Sequence, residues 1–260
     1  MATSRLEKTS LIHYRFQRNL VLSLVFFGFF LTSSLIVLAT FIFPNSNGLQ
    51  TISYFVLLLY GIGVLFARQL LVSINTYYHY FRMIDENQPM FRAQRLPLSD
   101  QFQRFLLQET YTLGVKNKQY SIYFKLYSNL PFVKRTAQTI LWVIELYDDH
   151  LGFHEPRLEQ ETIRIKTNQL VKRTYLNELT LIFKQPETMD KKTIETFQEI
   201  INFSVSNRAI ITLPCAVVTQ KQSIYVLRPN KQYPNKFYYA LIQILYELTA
   251  AKDRHDGRRN

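Results

Sequence analysis

Two uncharged, apolar runs near the N-terminus constrain this chain more than any other feature. Leu20–Phe43 is 24 residues without a charge, Leu49–Ala67 adds 19 more before Arg68, and Leu70–Ile74 resumes the apolar character. A helix needs about 20 apolar residues to cross a hydrocarbon core, and both runs meet that requirement. Between them, Pro44-Asn45-Ser46-Asn47-Gly48 joins a helix stopper to turn formers and leaves room only for a tight reversal. The sequence therefore predicts a transmembrane helical hairpin over 20–74, with spans 20–43 and 49–74. The hairpin carries a further domain of about 165 residues, enough for a core of its own.

Basic residues near span ends set orientation. Arg5, Lys8, Arg15 and Arg18 precede the first span, Arg68, Arg82, Arg92 and Arg95 lie at or beyond the end of the second, and the connector has none. Both termini are thus expected in the cytoplasm, with two spans in the cell membrane. A cleavable signal peptide is not expected, because Val25–Phe30 is Phe-rich and offers no small-residue cleavage site. Tyr77, Tyr78, Tyr80 and Phe81 form an aromatic belt suited to the headgroup layer, and Arg68 is close enough to snorkel towards it. With Arg15 and Arg18 these are the expected membrane-interface residues. His13 and His79 flank the spans and read as ordinary interfacial residues. Gly63-Val64-Leu65-Phe66-Ala67 has small residues four apart, a spacing that lets helices approach closely, within one chain or in a homo-oligomer.

The net charge is +12; 8 Lys/Arg stand against 3 Asp/Glu up to Arg95, and 23 against 16 beyond it. Part of this excess is the positive-inside signal. The rest suits a domain held against an anionic inner leaflet, where each nearby basic residue gains on the order of 1 kcal/mol. The same charge attracts nucleic-acid phosphates, a weaker reading because no RNA-binding signature accompanies it. The single cysteine, Cys215, excludes an intrachain disulfide and fits a reducing compartment. Abundant Ile, Lys, Asn, Phe and Tyr with few Gly point by association to an AT-rich bacterial genome.

Met1–Asn19 reads as a cytoplasmic lead that continues the first helix along the interface. The second helix extends to about Glu86, and 75–98 forms an interfacial helix and linker, with Pro89 and Pro97 bracketing a basic connector. The cytoplasmic domain spans 99–251. Ser99-Asp100 caps a helix with Phe102, Phe105, Leu106 and Leu113 inward, stopped by Gly114. Gln119–Tyr127 alternates as a strand with one buried face, and Thr139–Leu146 (TILWVIEL) reads as a central strand. Thr162–Lys166 alternates briefly as a strand, Leu170–Asn177 reads as helical, and Leu179–Phe183 as a strand. Asp190 caps a helix burying Ile194, Phe197, Ile200 and Ile201, ended by Asn207. Ala209–Thr219 is a strand with Pro214 at a bulge or edge, turned by Gln220–Gln222 into Ser223–Arg228. A last helix runs to about Ala251, burying Phe237, Leu241, Ile244, Leu245 and Leu248. The tail 252–260 is charged and expected to be disordered. The predicted fold is membrane-anchored α+β, with a mostly antiparallel sheet of five or six strands and about three helices.

Two stretches carry residue types suited to binding. Asp148, Asp149, His150, His154 and Glu155 form the densest polar cluster, directly after the strongest strand, and carboxylates with imidazoles can share a metal. The zincin spacing is absent, since Glu155 follows the second His, and Gly152 and Pro156 break the helix that would align the two. An exposed acidic turn is the simpler reading. Tyr123, Lys125 and Tyr127 share a strand face, and with Lys134 and Arg135 they form a candidate aromatic-basic platform for stacked bases. A sheet face covered by a helix or a partner is the simpler reading there. Cys215, in an apolar β run, reads as a core thiol. Seven scattered glycines leave no phosphate-binding loop, and no G-x-S-x-G or kinase signature occurs, so no cofactor is expected.

Together these features point to a non-catalytic adaptor or regulatory subunit of a bacterial membrane-associated assembly, its domain serving as a protein-docking module. Expected partners are the lipid bilayer and other membrane or cytoplasmic proteins. The alternative is a membrane effector or pore-forming protein whose domain senses a ligand or nucleic acid. A metal-dependent hydrolase built on the Asp148–Glu155 loop is a third, weaker alternative.

Overall fold

The computed structural model describes residues 2–42, 47–130, 133, 138–169, 177–199, 209–230 and 233–251. The chain divides into two compact units, Met1–Asp85 and Glu86–Asn260.

The first unit is a pair of long helices, α1 (Ala2–Ile42) and α2 (Asn47–Asp85), packed on each other. At 1.5 Å per residue each is about 60 Å long, roughly twice a hydrocarbon core. Both contain stretches long and apolar enough to cross a membrane, within Ser10–Ile42 and Thr51–Asp85. The close approach of the pair is at Gly28. A Cβ there would lie 3.1 Å from the Tyr60 ring, and the Tyr60 hydroxyl donates to the Val25 carbonyl at 2.9 Å. Gly63, by contrast, faces open space, so the small-residue spacing of Gly63 and Ala67 is not what joins α1 to α2. Several hydroxyls in these helices are satisfied by their own backbone. Thr32 bonds the Gly28 carbonyl at 2.8 Å, Ser53 that of Leu49 at 2.9 Å, and Thr76 that of Val72 at 2.9 Å. Such back-bonding removes the need for water at these positions. Near the charged end, Tyr14 stacks on Tyr77 and Phe81 at 5.2 and 5.6 Å, and the Arg18 guanidinium sits 4.3 Å over the Tyr78 ring.

The second unit is built on one seven-stranded sheet, in the order β1-β7-β6-β5-β4-β3-β2. Its strands are β1 (Phe91–Arg92), β2 (Thr112–Lys116), β3 (Tyr120–Tyr127), β4 (Thr139–Leu146), β5 (Asn177–Lys184), β6 (Ile210–Val218) and β7 (Ser223–Val226). The expected mostly antiparallel sheet is corrected to a mixed one. β2-β3-β4 is an antiparallel meander and β6-β7 an antiparallel pair, whereas β4, β5 and β6 run parallel. Parallel neighbours need crossovers, usually helical. Here they are α4 (Pro156–Gln169) and α5 (Lys191–Phe197). The alternation at Thr162–Lys166 that suggested a strand belongs to α4; its buried residues Leu158 and Ile165 are seven apart, two helical turns on one face. Among the described residues the unit has four α-helices, the other two being α3 (Asp100–Gln108) and α6 (Lys236–Thr249).

Helices cover both faces of the sheet. Leu158 and Ile165 of α4 and Phe197 of α5 pack with Ile122, Phe124, Ile140, Trp142, Ile144 and Ile182. On the opposite face Phe102 of α3 meets Phe183 at 5.6 Å, and α6 packs on β5. This two-sided covering explains why β4 is buried at every position and why Ser121 and Tyr123, on the other face of β3 from Ile122 and Phe124, are buried as well. It also explains why α6 is sealed nearly all round, with Tyr238, Ala240, Ile242 and Tyr246 buried beside the expected Leu241, Ile244, Leu245 and Leu248, whereas Phe237, also expected inward, is only half-buried.

Local signals place the remaining elements. Ser99, Asp190 and Asn235 accept the N–H of Phe102, Thr193 and Tyr238 at 3.2, 2.7 and 2.8 Å, so each helix begins at a side-chain cap. Gly114 is not the stop of α3. It sits in β2 at a register shift opposite β3, where a Cβ would come within 2.5 Å of Ile165 on α4. Pro214 lies in an interior strand, one residue before the pairing of β6 with β7 begins. The stretch 86–98 contributes β1, and the N–H groups of Gln94 and Arg95 bond the Thr249 carbonyl at the end of α6, both at 3.0 Å. Residues 200–208, most of Leu170–Asn177 and the tail lie outside the described residues.

Candidate functional site

The most concentrated buried polar chemistry of the second unit lies where α3 crosses β3 and β4. Glu145, the one charged residue of TILWVIEL, is fully buried. Its Oε1 accepts the Leu98 N–H at 2.6 Å. Its Oε2 accepts from Gln103 Nε2 at 3.1 Å, Ser121 Oγ at 3.1 Å and the Tyr147 hydroxyl at 3.0 Å. The Ser121 and Tyr147 hydroxyls also lie close enough to bond one another and have one proton each, so only one of them donates to Glu145 while that bond is made; Gln103 donates to Tyr147 at 2.8 Å, and Lys116 Nζ donates to Gln103 Oε1 at 2.7 Å. Burial pushes the Glu145 carboxyl above its ordinary value, and the Leu98, Tyr147, Ser121 and Gln103 donors pull it back. Leu98 holds φ at 68°, a strained value for a branched residue, and so brings its N–H to the carboxylate.

The chemistry of this cluster is inward-facing. A carboxylate whose two oxygens already face four donor groups has little capacity left for a substrate. A shallow cavity of about 310 Å³ lies beside it, lined by Asp100, Gln103, Arg104, Lys116 and Tyr123 among others. Neither Asp100 nor Arg104 bonds the Glu145 carboxylate. The network ties α3, the stretch before it and two strands together around one buried charge.

The residues that the sequence suggested as groups have the following partners. In the acidic loop, Asp148 accepts the His150 N–H at 2.9 Å and the Gln119 side chain at 3.1 Å, which holds its carboxyl below the ordinary range. Lys184 donates to the Asp149 carbonyl at 2.7 Å, His154 faces Glu199 at 3.5 Å, and the Glu155 carbonyl takes the Leu158 N–H at the start of α4. Among the described residues no group of three or more His, Cys, Asp or Glu is placed to hold a metal ion. On β3, Lys125 and Tyr127 meet Tyr111 rather than Tyr123. Lys125 Nζ donates to the Glu109 carbonyl at 2.7 Å and lies 5.1 and 5.6 Å over the Tyr111 and Tyr127 rings. Lys134 and Arg135 lie outside the described residues. Cys215 is sealed in the core, and burial pushes its thiol up.

In the first unit, Arg15, Arg68 and Tyr77 are exposed, Tyr80 and Phe81 meet edge-to-face at 5.3 Å, and Arg18 lies over Tyr78. Sequence reasoning missed Glu145, Gln103, Tyr147 and a second buried charge, Arg228. The available signal was a lone ionisable residue within or just after an apolar β run, at Glu145 in TILWVIEL and at Arg228 after Ile224–Leu227. Comparison with protein-family models, curated proteins and solved structures found no match.

Proposed function

We propose that the protein is a membrane-anchored, non-catalytic adaptor or regulatory subunit of a bacterial membrane-associated assembly, with the second unit as its docking module. The reading is carried by the outer surface of the helix pair. Phe26, Phe30, Leu35, Phe55, Leu58 and Phe66 are exposed, and no charge occurs from Leu20 to Ala67. A soluble protein rarely leaves so large an apolar surface open, whereas lipid covers it at no cost. The flanking arginines favour both termini in the cytoplasm. Glu145, saturated by its own donors, supports a holding role over a catalytic one. The basic excess of the domain supports contact with an anionic leaflet or acidic partners; nucleic acid is a weaker candidate.

Topology is tested by cysteine labelling of intact cells. Native Cys215 is buried, so an Asn47→Cys variant reports the connector alone. Labelling by an impermeant reagent from outside supports the orientation; labelling only after lysis refutes it. Adaptor function is tested by crosslinked recovery of the full-length protein from membranes, with a nuclease-treated parallel and reciprocal tagging of each recovered subunit. Defined co-subunits support docking. Turnover of phosphoesters, peptides or nucleotides by the purified full-length protein would overturn it. A second reading, a membrane effector whose domain senses a ligand, is favoured by the cleft described next. Recovery of the protein only with itself would favour that reading.

A further inference from the structure

A cleft within the second unit has a volume of about 800 Å³ and is walled by 86–92 and Gln94 together with Ser223 of β7, the stretch after β7 and the end of α6. Arg228 lines it. This side chain is only 7% exposed, and no carboxylate pairs with it among the described residues. Its guanidinium is instead fixed by neutral groups. One NH₂ donates to the Pro89 carbonyl at 2.7 Å, the other makes a short bond to the Tyr246 hydroxyl, and the Phe91 and Tyr246 rings lie 5.2 and 5.8 Å away. Its Nε–H is buried without a hydrogen-bond partner.

A buried cation is normally paired, because desolvating it is expensive. Here the charge is held rigidly and left without a counter-ion. Two further donors share the cleft. Arg92 is an exposed guanidinium on β1, and Asn230 is an exposed amide whose oxygen accepts from Gln88 at 3.0 Å. Glu86 is the one carboxylate on the wall.

We infer that this cleft is an anion site for a phosphomonoester, with Arg228 as the fixed cation and Arg92 and Asn230 as rim donors. A planar guanidinium offers paired N–H groups to phosphate oxygens, which suits this geometry better than a single point charge would. The cleft is large enough for a phosphate with an organic group attached. The phosphate can belong to a soluble metabolite or to a lipid headgroup. The site stands whether the whole protein is an adaptor or an effector.

The test uses the full-length protein in phosphatidylcholine nanodiscs at fixed ionic strength. Glycerol phosphate is titrated by calorimetry and followed by phosphorus NMR. In a second arm, nanodiscs containing phosphatidic acid are compared with nanodiscs containing phosphatidylserine, read as protection of the protein from thermal unfolding. Saturable glycerol phosphate binding identifies a soluble source, and preference for phosphatidic acid alone identifies a headgroup source. Either outcome supports the site if Arg228→Gln weakens it at least about tenfold and Arg92→Gln and Asn230→Ala weaken it several-fold. Absence of binding in both arms overturns the inference, as does binding that Arg228→Gln leaves unchanged. If Arg228→Gln fails to fold, Arg92→Gln and Asn230→Ala decide, and unchanged binding in both overturns it.

Discussion

Glu145 and Arg228 are both charged and both nearly sealed within the same domain, at 0% and 7% exposure. Their surroundings are opposite. Glu145 is wrapped by four donors drawn from the segment before α3, from α3 itself and from the adjoining strands, while Arg228 has two neutral acceptors, two rings and a partnerless Nε–H. Saturation of a buried charge marks a joint in the fold; a buried charge left short of partners and set beside a cleft marks a place kept for something else. Removing each charge should therefore have very different consequences for the ligand-free protein.

The largest effect is expected at Glu145. Glu145→Ala strands the buried Gln103 and Ser121 donors and the partly buried Leu98 N–H and Tyr147 hydroxyl, and leaves a cavity, so it should cost about 3–5 kcal/mol of domain stability. Urea unfolding of the full-length protein in detergent, followed by the fluorescence of the single Trp142 on β4, reads this directly. A loss below about 1 kcal/mol would dissolve the contrast with Arg228. The pH dependence sharpens it. The folded value of Glu145 is raised above its ordinary 4.5, so the folded state holds the proton more tightly than the unfolded chain. Stability from this group is thus greatest at low pH and is lost as pH rises from about 4.5 through the folded value. Relative to Glu145→Gln, wild type should lose ground steadily across that window. Parallel curves would mean that the hydrogen bonds fully cancel the effect of burial.

A smaller effect is expected at Ser99, which holds the network from outside. Its Oγ accepts the Phe102 N–H at 3.2 Å and donates to the Leu96 carbonyl at 2.6 Å, fixing both α3 and the turn that aims Leu98 at Glu145. Ser99→Ala should cost about 1 kcal/mol as a lost cap. Combined with Glu145→Ala it should cost less than the sum, because the second change disturbs a joint already broken. Strict additivity would show that the cap and the carboxylate act independently.

These sites also show how far the sequence could be read. The helix pair was visible because length and the absence of charge are local properties. The strand Thr139–Leu146 was visible for the same reason, and so was the Asp190 cap. Strand direction was not visible, since a fully buried strand reads alike in parallel and antiparallel sheets. Of the two crossover helices, α5 was visible from its Asp190 cap, whereas α4 carries an accidental alternation at Ile163 and Ile165, although Ile163 is exposed. The Glu145 network was hidden because three of its four donor groups come from 47, 42 and 24 residues away in the chain, and the acceptor of Arg228 at Pro89 from 139. Only the oddity of a single charge beside an apolar run was local.

The smallest effect on the ligand-free protein is expected at Arg228, and it is the most discriminating. Arg228→Met keeps much of the stem that packs beside Phe91 and Tyr246, removes a buried charge with no counter-ion, and leaves two neutral acceptors that water in the cleft can reach. Replacing an ill-compensated buried charge by an apolar side chain is commonly neutral or stabilising, so the change should stay within about 1 kcal/mol. Ligand should then separate the proteins. With glycerol phosphate at a hundred times its dissociation constant, wild type should gain about 2.7 kcal/mol and Arg228→Met nothing. A variant destabilised as severely as Glu145→Ala, with no ligand-dependent gain in wild type, would place Arg228 among the joints of the fold and erase the distinction between the two charges.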